Sequence, residues 1–357
     1  MKNIGVLTGK RGGFDALLPL INALSEQDVE LMVYAVDQHL LEKYGSTWYR
    51  VMNEIPQKDT VGAITVGNPQ SFDSITTRCK NLGDLMEQLP IYMANSDAMI
   101  LYGDRSEVLV AAQVCHLHGV PIIHFEGGEI TGTTDDATRR AISQLASVHF
   151  APTHEACERL IYQGIHNRNI YDVGDLHLNK FARADFRQLE ELGISAGRDI
   201  SITIYHPSTE IDPGKGMRRI GAGLWNQRDM QHVFIYPCTD PGNHAIIDLM
   251  ESHRSEKDFY VYKNLDGDTF AALLKAATIL IGNSSCGIKE SPYVGTWALN
   301  LGDRQKGRAQ DLATVNCSYE EIGNMIDRHR NESPPPSTGV YRPCDIPACV
   351  DIIMGSL

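Results

Sequence analysis

Short apolar runs alternate with amphipathic stretches along the chain. Residues 3–7, 31–36, 98–102, 122–125, 148–151 and 170–173 are compact hydrophobic runs that read as buried strands. Between them apolar residues recur at helical spacing, as at Phe14, Leu17, Leu18, Leu20, Ile21 and Leu24. Alternation of this kind predicts an α/β fold with a parallel, doubly wound sheet. The pattern restarts with strands at 200–205, 232–236, 259–262, 279–282 and 297–301, the last of these closing the second sheet. Helices are expected at 216–225 and 268–277, and from Ser284 through Tyr293; residues 64–88 read as a loop followed by a helix. A charged stretch at 175–198, carrying Gly193 and Gly197, separates the two series. The expected division is a first domain at 1–178, a second at 179–335, and a final segment, 336–357, packing back on the first.

Two doubly wound, Rossmann-like halves carry their sites at the carboxyl ends of strands, so the halves are expected to face each other across a cleft. The polar turns placed to line it are 8–13, 103–107, 126–136, 206–210, 283–287 and 302–308. The densest is 126–136, where Glu126, Glu129, Asp135 and Asp136 surround Gly127 and Gly128. Glycines there leave room for close approach of a ligand. A helix N-terminus, capped by Thr133 or Thr134, is the favoured local account of Asp135 and Asp136 but does not explain Glu126 and Glu129. Residues 8–13, Thr-Gly-Lys-Arg-Gly-Gly, form a basic turn between strand and helix, the geometry of a phosphate cradle. The spacing matches neither a Walker loop nor a dinucleotide fingerprint. Asp104 and Arg105 stand at another strand end, as a site or as a cap with a surface ion pair. Ser284 and Ser285 make an anion site or an ordinary cap. Ser284 with His206 lacks the Gly-x-Ser-x-Gly elbow of a hydrolase triad.

Composition narrows the class. A chain of 357 residues is long enough for two cores. Its formal net charge of −13, without a basic run, argues against a nucleic-acid partner. Eight cysteines are scattered with no Cys-x-x-Cys pair and no signal peptide, the usage of reduced thiols in a cytoplasmic protein. Cys344 and Cys349 have no histidine beside them, so no metal site is expected. No apolar run reaches membrane-spanning length.

These motifs resemble the UDP-N-acetylglucosamine 2-epimerase family, most closely its hydrolysing branch, which forms N-acetylmannosamine for sialic-acid-type sugars. The matching stretches are Thr8-Gly9-x-Arg11, Tyr102-Gly103-Asp104-Arg105, Gly127-Gly128-Glu129-x-Thr131, Asp135-Asp136 with Arg139, His206-Pro207, Gly282-Asn283-Ser284-Ser285-x-Gly287-Ile288 with Glu290, and residues 302–308, Gly-Asp-Arg-Gln-Lys-Gly-Arg. They run in order through most of the chain.

The resemblance implies a GT-B-like fold, a nucleotide-sugar substrate, no cofactor, and a homodimer or homotetramer serving cell-surface polysaccharide biosynthesis. The implied reaction removes the C-2 proton, eliminates the nucleoside diphosphate to a glycal, and adds water to give the 2-epimer. Asp104, Glu126 and Asp135 are the implied acid–base groups, and His206 protonates or steadies the leaving phosphate. Arg11, Arg304 and Arg308, joined by Arg105, suit a diphosphate through the guanidinium fork. Ser284, Ser285 and Gly287 would line the same anion, Glu290 would bind the ribose hydroxyls or be a solvated helix acid, and Glu129 and Asp136 are further candidates for acid–base work or substrate binding. Glu126 stands where the non-hydrolysing branch also carries Glu, which keeps that branch open as an alternative. The further alternatives are a GT-B glycosyltransferase and a catalytically silent nucleotide-sugar binding protein.

Overall fold

The computed structural model describes residues 1–70, 74–208, 211–238, 240 and 242–357. Thr209 and Glu210, at the end of the 206–210 turn, lie outside the described residues. The chain forms two compact units, Met1–Asn179 with Tyr341–Leu357, and Lys180–Val340.

The first unit runs β1 (Lys2–Thr8), α1 (Arg11–Leu24), β2 (Val29–Ala35), α2 (Trp48–Glu54), β3 (Val61–Thr65), α3 (Ile75–Met93), β4 (Ala98–Tyr102), α4 (Ser106–His118), β5 (Ile122–Phe125), α5 (Asp135–Leu145), β6 (Val148–Ala151), α6 (His154–Tyr162) and β7 (Ile170–Asp172). Its sheet has the order β3-β2-β1-β4-β5-β6-β7, with parallel pairing throughout. The winding reverses between β1 and β4, where Ile4 pairs with Ala98 and Val6 with Ile100. A reversal of this kind opens a crevice at the carboxyl ends of the two strands.

Strand residues divide between two cores according to the period of the pleat. Ile4, Val6, Val33, Ile100 and Ile123 enter one, with Leu17 and Ile21 of α1. Leu7, Tyr34, Met99, Leu101 and Ile122 enter the other, with Val114 and Cys115 of α4. Both faces are therefore covered, and the central strands are apolar throughout rather than alternating.

The second unit runs α7 (Arg187–Glu191), β8 (Ile200–Ile204), α8 (Pro213–Leu224), β9 (Gln231–Ile235), α9 (Asn243–Ser252), β10 (Phe259–Tyr262), α10 (Gly267–Ala276), β11 (Ile279–Gly282), α11 (Cys286–Lys289), β12 (Trp297–Leu301), β13 (Thr314–Cys317) and α12 (Ile322–His329). Its sheet order is β10-β9-β8-β11-β12-β13, also parallel, and the winding reverses between β8 and β11. After it the chain re-enters the first unit with α13 (Ile346–Ser356). Cys349, Val350 and Ile353 of α13 join the core containing Leu17, Leu20 and Ile21. Asp345 N–H donates to the Val173 carbonyl at 2.8 Å, and Asp175 N–H to the Arg342 carbonyl at 2.8 Å, fixing that return.

Three local expectations need correction. β3 is not expected from the sequence and overlaps the start of the 64–88 stretch read as a loop, and β13 follows the strand expected to be last. Both are short edge strands with half-exposed side chains, so neither carries a continuous apolar signal. The helix expected to run through Tyr293 ends at Lys289, a single turn. Among the described residues no helix is long and apolar enough to cross a membrane, and no group of three or more His, Cys, Asp or Glu is placed to hold a metal. All eight cysteines are free thiols.

Candidate active site

In the first unit the acidic loops are organised by one buried cation. Arg139 sits on α5 and is 1% exposed. Its Nη2 pairs with Asp104, which follows β4, and its Nη1 donates to Asp136 Oδ1 at 3.1 Å and to the Glu129 carbonyl at 2.7 Å. A guanidinium satisfies this fork of acceptors because its donors lie in one plane. Asp136 is occupied further: Thr131 N–H, the Thr131 hydroxyl and Gly132 N–H all donate to it, at 2.7, 2.9 and 2.8 Å. Glu129 is buried, with the Tyr341 hydroxyl 3.3 Å from both carboxylate oxygens. The structure thus brings Asp104, Asp136 and the Glu129 carbonyl together on Arg139; the Asp136 carboxylate braces its own loop, and the Glu129 carboxylate meets Tyr341.

Glu126 and Asp135 are placed differently, both half-buried. Glu126 continues directly from β5 with φ of 66°, a left-handed conformation that a glutamate adopts only under constraint. Its N–H donates to the Phe150 carbonyl at 3.0 Å, which fixes the turn against β6. Asp135 opens α5, and its N–H donates to the Thr133 hydroxyl at 3.3 Å. Thr134 is the capping residue but gives no side-chain bond. Gly128 is required by the chain itself: with φ of 80°, a Cβ there would lie 2.1 Å from the Ala156 carbonyl oxygen of α6.

A buried histidine supports these loops from below. His124 of β5 lies 2.8 Å by Nε2 from the Gly103 carbonyl, just before Asp104, and 3.1 Å by Nδ1 from the Ser143 hydroxyl. Since a carbonyl only accepts, Nε2 carries the proton. Burial pushes the His124 pKa down to about 4, so the ring is neutral at physiological pH.

The basic turn follows β1. Arg11 opens α1, and Lys10 precedes it in extended conformation without a side-chain cap, so the positive end of the helix dipole is not met by a capping oxygen. Arg105 lies across the reversal point with two acids absent from the sequence reading. Its Nε donates to Glu107 Oε1 at 2.7 Å, and its Nη2 is 3.6 Å from Asp37 Oδ2.

In the second unit the turns after β8 and β11 are locked together. His206 N–H donates to Asn283 Oδ1 at 2.7 Å, and Asn283 Nδ2 donates to the His206 carbonyl at 2.9 Å. Cys238 N–H donates to His206 Nδ1 at 2.9 Å. That bond keeps Nδ1 unprotonated, so the neutral ring carries its hydrogen on Nε2. The Asn283 carbonyl accepts from Arg304 Nη1 at 3.2 Å and from Gln305 Nε2 at 3.0 Å, drawing the 302–308 loop to the same place. Arg304 Nη2 also lies 3.8 Å from Asp240. Arg308 is half-buried on that loop, its N–H donating to the Gln305 carbonyl.

Ser284 and Ser285 are half-buried before α11, and Cys286 N–H donates to Ser284 Oγ at 3.5 Å. A one-turn helix carries little dipole, so an anion there would depend on hydroxyls and the neighbouring guanidinium. Gly287 packs inward: a Cβ there would lie 3.1 Å from Leu280 and 3.5 Å from Ala298, and its carbonyl accepts from the Thr314 hydroxyl. Glu290 is buried in an ion pair with Lys180 at 2.5 Å.

Arg139 and Asn283 entered the sequence reasoning only as family-matching positions and Glu107 only within the 103–107 turn, none with a role; His124, Asp37 and Lys180 were missed as site residues. His124 had a local signal, as a polar residue inside an apolar strand. Asn283 had one too, between a strand end and a serine pair.

The sequence profile of the family described as UDP-N-acetylglucosamine 2-epimerase matches residues 22–341. A UDP-N-acetylglucosamine 2-epimerase of Neisseria meningitidis serogroup B is 30% identical over 345 residues, covering 92% of this chain and 86% of the relative. A hydrolysing UDP-N,N'-diacetylbacillosamine 2-epimerase of Legionella pneumophila is 28% identical over 336 residues, covering 90% and 87%. Among solved structures, the Methanocaldococcus jannaschii UDP-GlcNAc 2-epimerase in complex with UDP-GlcNAc and UDP superposes with a TM-score of 0.78 at 18% identity, covering all of both chains. At that identity the likeness shows the fold: two Rossmann-like units, of the GT-B-like kind.

Proposed function

The chain belongs to the UDP-N-acetylglucosamine 2-epimerase family, and from that premise we propose that it is a hydrolysing member. Its substrate is UDP-N-acetylglucosamine or a modified relative, and its products are the 2-epimer sugar and the nucleoside diphosphate. The carrying observation is the Arg139 hub, which holds Asp104 at the end of β4 while Glu126 and Asp135 stand on the adjoining turns. Removal of a C-2 proton needs a carboxylate at a fixed place, and the hub fixes one.

The electron pair left at C-2 forms the C-1–C-2 double bond as the C-1–oxygen bond breaks, and the nucleoside diphosphate departs. Negative charge grows on the phosphate oxygens in that step. Each unit carries groups suited to that charge: Arg11 and Arg105 in the first, and Arg304, Arg308, Ser284, Ser285 and the Nε2–H of His206 in the second. Water then adds across the glycal, its hydroxyl to C-1 and a proton to C-2 on the opposite face. Asp104, Glu126 and Asp135 are the acids assigned to these transfers. Hydrolysing relatives that match over most of their own length support this outcome.

Glu126 favours a second reading, in which the diphosphate returns to the glycal and the product stays nucleotide-linked. Incubation with UDP-N-acetylglucosamine in deuterated water separates the two. The expected products are UDP and free N-acetylmannosamine deuterated at C-2. A nucleotide-linked epimer would overturn hydrolysis and select the second reading. The proposal includes a cytoplasmic homodimer or homotetramer, whose size sedimentation velocity would read.

A further inference from the structure

The reversal point of the first sheet holds a buried charge cluster, two of whose members, Asp37 and Glu107, have no part in the proposed reaction. Three turns contribute to it. Asp37 follows β2 with φ of 55°, Arg105 follows β4, and Glu107 stands in the first turn of α4. Glu107 is 1% exposed and Asp37 is 8% exposed. Glu107 reaches across to the turn after β1: a Cβ on Gly9 would lie 2.4 Å from its Oε1, so Gly9 is the only residue type that leaves the carboxylate its place. Both carboxylates face one guanidinium, with Arg105 Nε donating to Glu107 at 2.7 Å and Nη2 3.6 Å from Asp37 Oδ2. That Asp37 oxygen is buried and makes no hydrogen bond among the described residues. Arg105 and Glu107 also line a small cavity with Gly9, Lys10, Gly13 and Tyr102, so the cluster opens onto the basic turn.

We propose that Asp37 and Glu107 are positioning residues for Arg105, holding its guanidinium toward the basic turn where a nucleoside diphosphate is bound. The inference rests on the reading of Arg105 as a diphosphate ligand. Glu107 fixes the guanidinium plane through Nε, with Nη2 toward Asp37, and Arg105 lines the cavity that the basic turn shares. Asp37 sets the charge. Two ionised acids on one cation would leave the cluster negative and oppose an incoming diphosphate, whereas a proton on Asp37 leaves it neutral.

The surroundings favour that proton. Burial first, and then the Glu107 charge, raise the Asp37 pKa to about 8, against the opposing pull of Arg105 and Arg78. These three are the charged groups facing Asp37; neighbouring His39 is buried and neutral, its pKa pushed down to about 3. Diphosphate binding should therefore weaken as pH rises through about 8, and should take up a proton there.

The test is UDP binding by calorimetry from pH 7 to 9.5, for wild type and Asp37→Asn. Asparagine tolerates a left-handed backbone, so the variant retains the turn. The wild type should lose affinity severalfold above pH 8, and Asp37→Asn should show a flatter profile over the same range. In Glu107→Gln, the removed charge lets Asp37 ionise earlier, and the fall should start at lower pH. An Asp37→Asn profile parallel to the wild type, with UDP bound by both, would overturn this inference alone. No UDP binding by the wild type at any pH would overturn the diphosphate reading and this role with it. Thermal unfolding gives a second measure: the Tm gain of Asp37→Asn over wild type should grow from pH 5 to 8, and a constant difference would count against the buried proton.

Discussion

His206 and Asn283 hydrogen-bond each other in both directions across the reversal point of the second sheet. The backbone N–H and carbonyl of His206 meet the two ends of the Asn283 amide at 2.7 and 2.9 Å. A side-chain amide replaces the strand partner that β8 loses where it leaves the sheet. The Asn283 carbonyl then binds Arg304 and Gln305, so one residue sets the histidine and the cationic loop together.

Asn283→Ala should therefore unseat both. Two backbone groups of His206 lose their partners, a loss of about 1–3 kcal/mol per buried group. Urea unfolding should show a drop within that range, and UDP affinity should fall at least tenfold as His206 and Arg304 lose their placement. Asn283→Asp should retain the bond from the His206 N–H and lose the one to its carbonyl, giving an intermediate effect. Unchanged UDP affinity in Asn283→Ala would dissociate this junction from nucleotide binding.

Arg139 makes a sharper case because it is a fully buried charge. Arg139→Met leaves Asp104 and Asp136 uncompensated, and breaking a buried pair from one side is worth about 3–5 kcal/mol. Asp104→Asn removes the charge but retains the shape. It should leave stability within about 1–3 kcal/mol of wild type while turnover drops at least a hundredfold, the scale of a lost general acid or base. Equal losses of stability in the two variants would make Asp104 a brace rather than a reacting group.

Much of this arrangement was readable from local pattern. β4, β5, β8 and β11 are buried on both faces, so their apolar runs end sharply, and the residues after them, Asp104, Glu126, His206 and Ser284, stand out. β3 and β13 lie at sheet edges and lack that signal. The partners were not readable either. Arg139 is a family-matching position on an amphipathic helix, and only the packing of α5 against α4 and β5, which brings it to Asp104, makes it a hub. Asp37 looks like a turn residue, and Lys180 is one cation in a charged connection. Gly128 was legible as a glycine but not for its reason, since the neighbour filling its space is Ala156, far along the chain.

The buried histidines predict an acid limit to stability. His39, His124 and His149 have pKa values pushed down to about 3, 4 and 4 by burial. Above pH 6.5 they are neutral in both folded and unfolded chains and contribute nothing to pH dependence. Below it the unfolded chain takes up protons that the folded chain refuses, so stability falls as pH drops from 6.5 toward 4. Each site contributes about 1.4 kcal/mol per pH unit in that window. Denaturant unfolding at pH 7 and pH 5 should show the loss, and His124→Gln should reduce it by about 2 kcal/mol relative to its own value at pH 7. An unaltered difference between pH 7 and pH 5 in that variant would mean that His124 is charged in the fold.

Lys180 and Glu290 are paired at 2.5 Å, and the Lys180 ammonium also lies over the Phe270 ring, 4.6 Å from its centre. Both side chains are nearly withdrawn from solvent, so removing either leaves the other buried without its ion-pair partner. Lys180→Met should lower stability by about 3–5 kcal/mol by stranding the carboxylate. Adding Glu290→Leu should recover most of it, because the double variant buries no charge. The two changes separate support from recognition. If Glu290 meets the ribose of a bound nucleotide, the double variant should be stable yet bind UDP weakly, whereas inorganic pyrophosphate, which has no ribose, should bind as it does to the wild type. Parallel losses for both ligands would assign Glu290 to packing, as the partner of Lys180 alone.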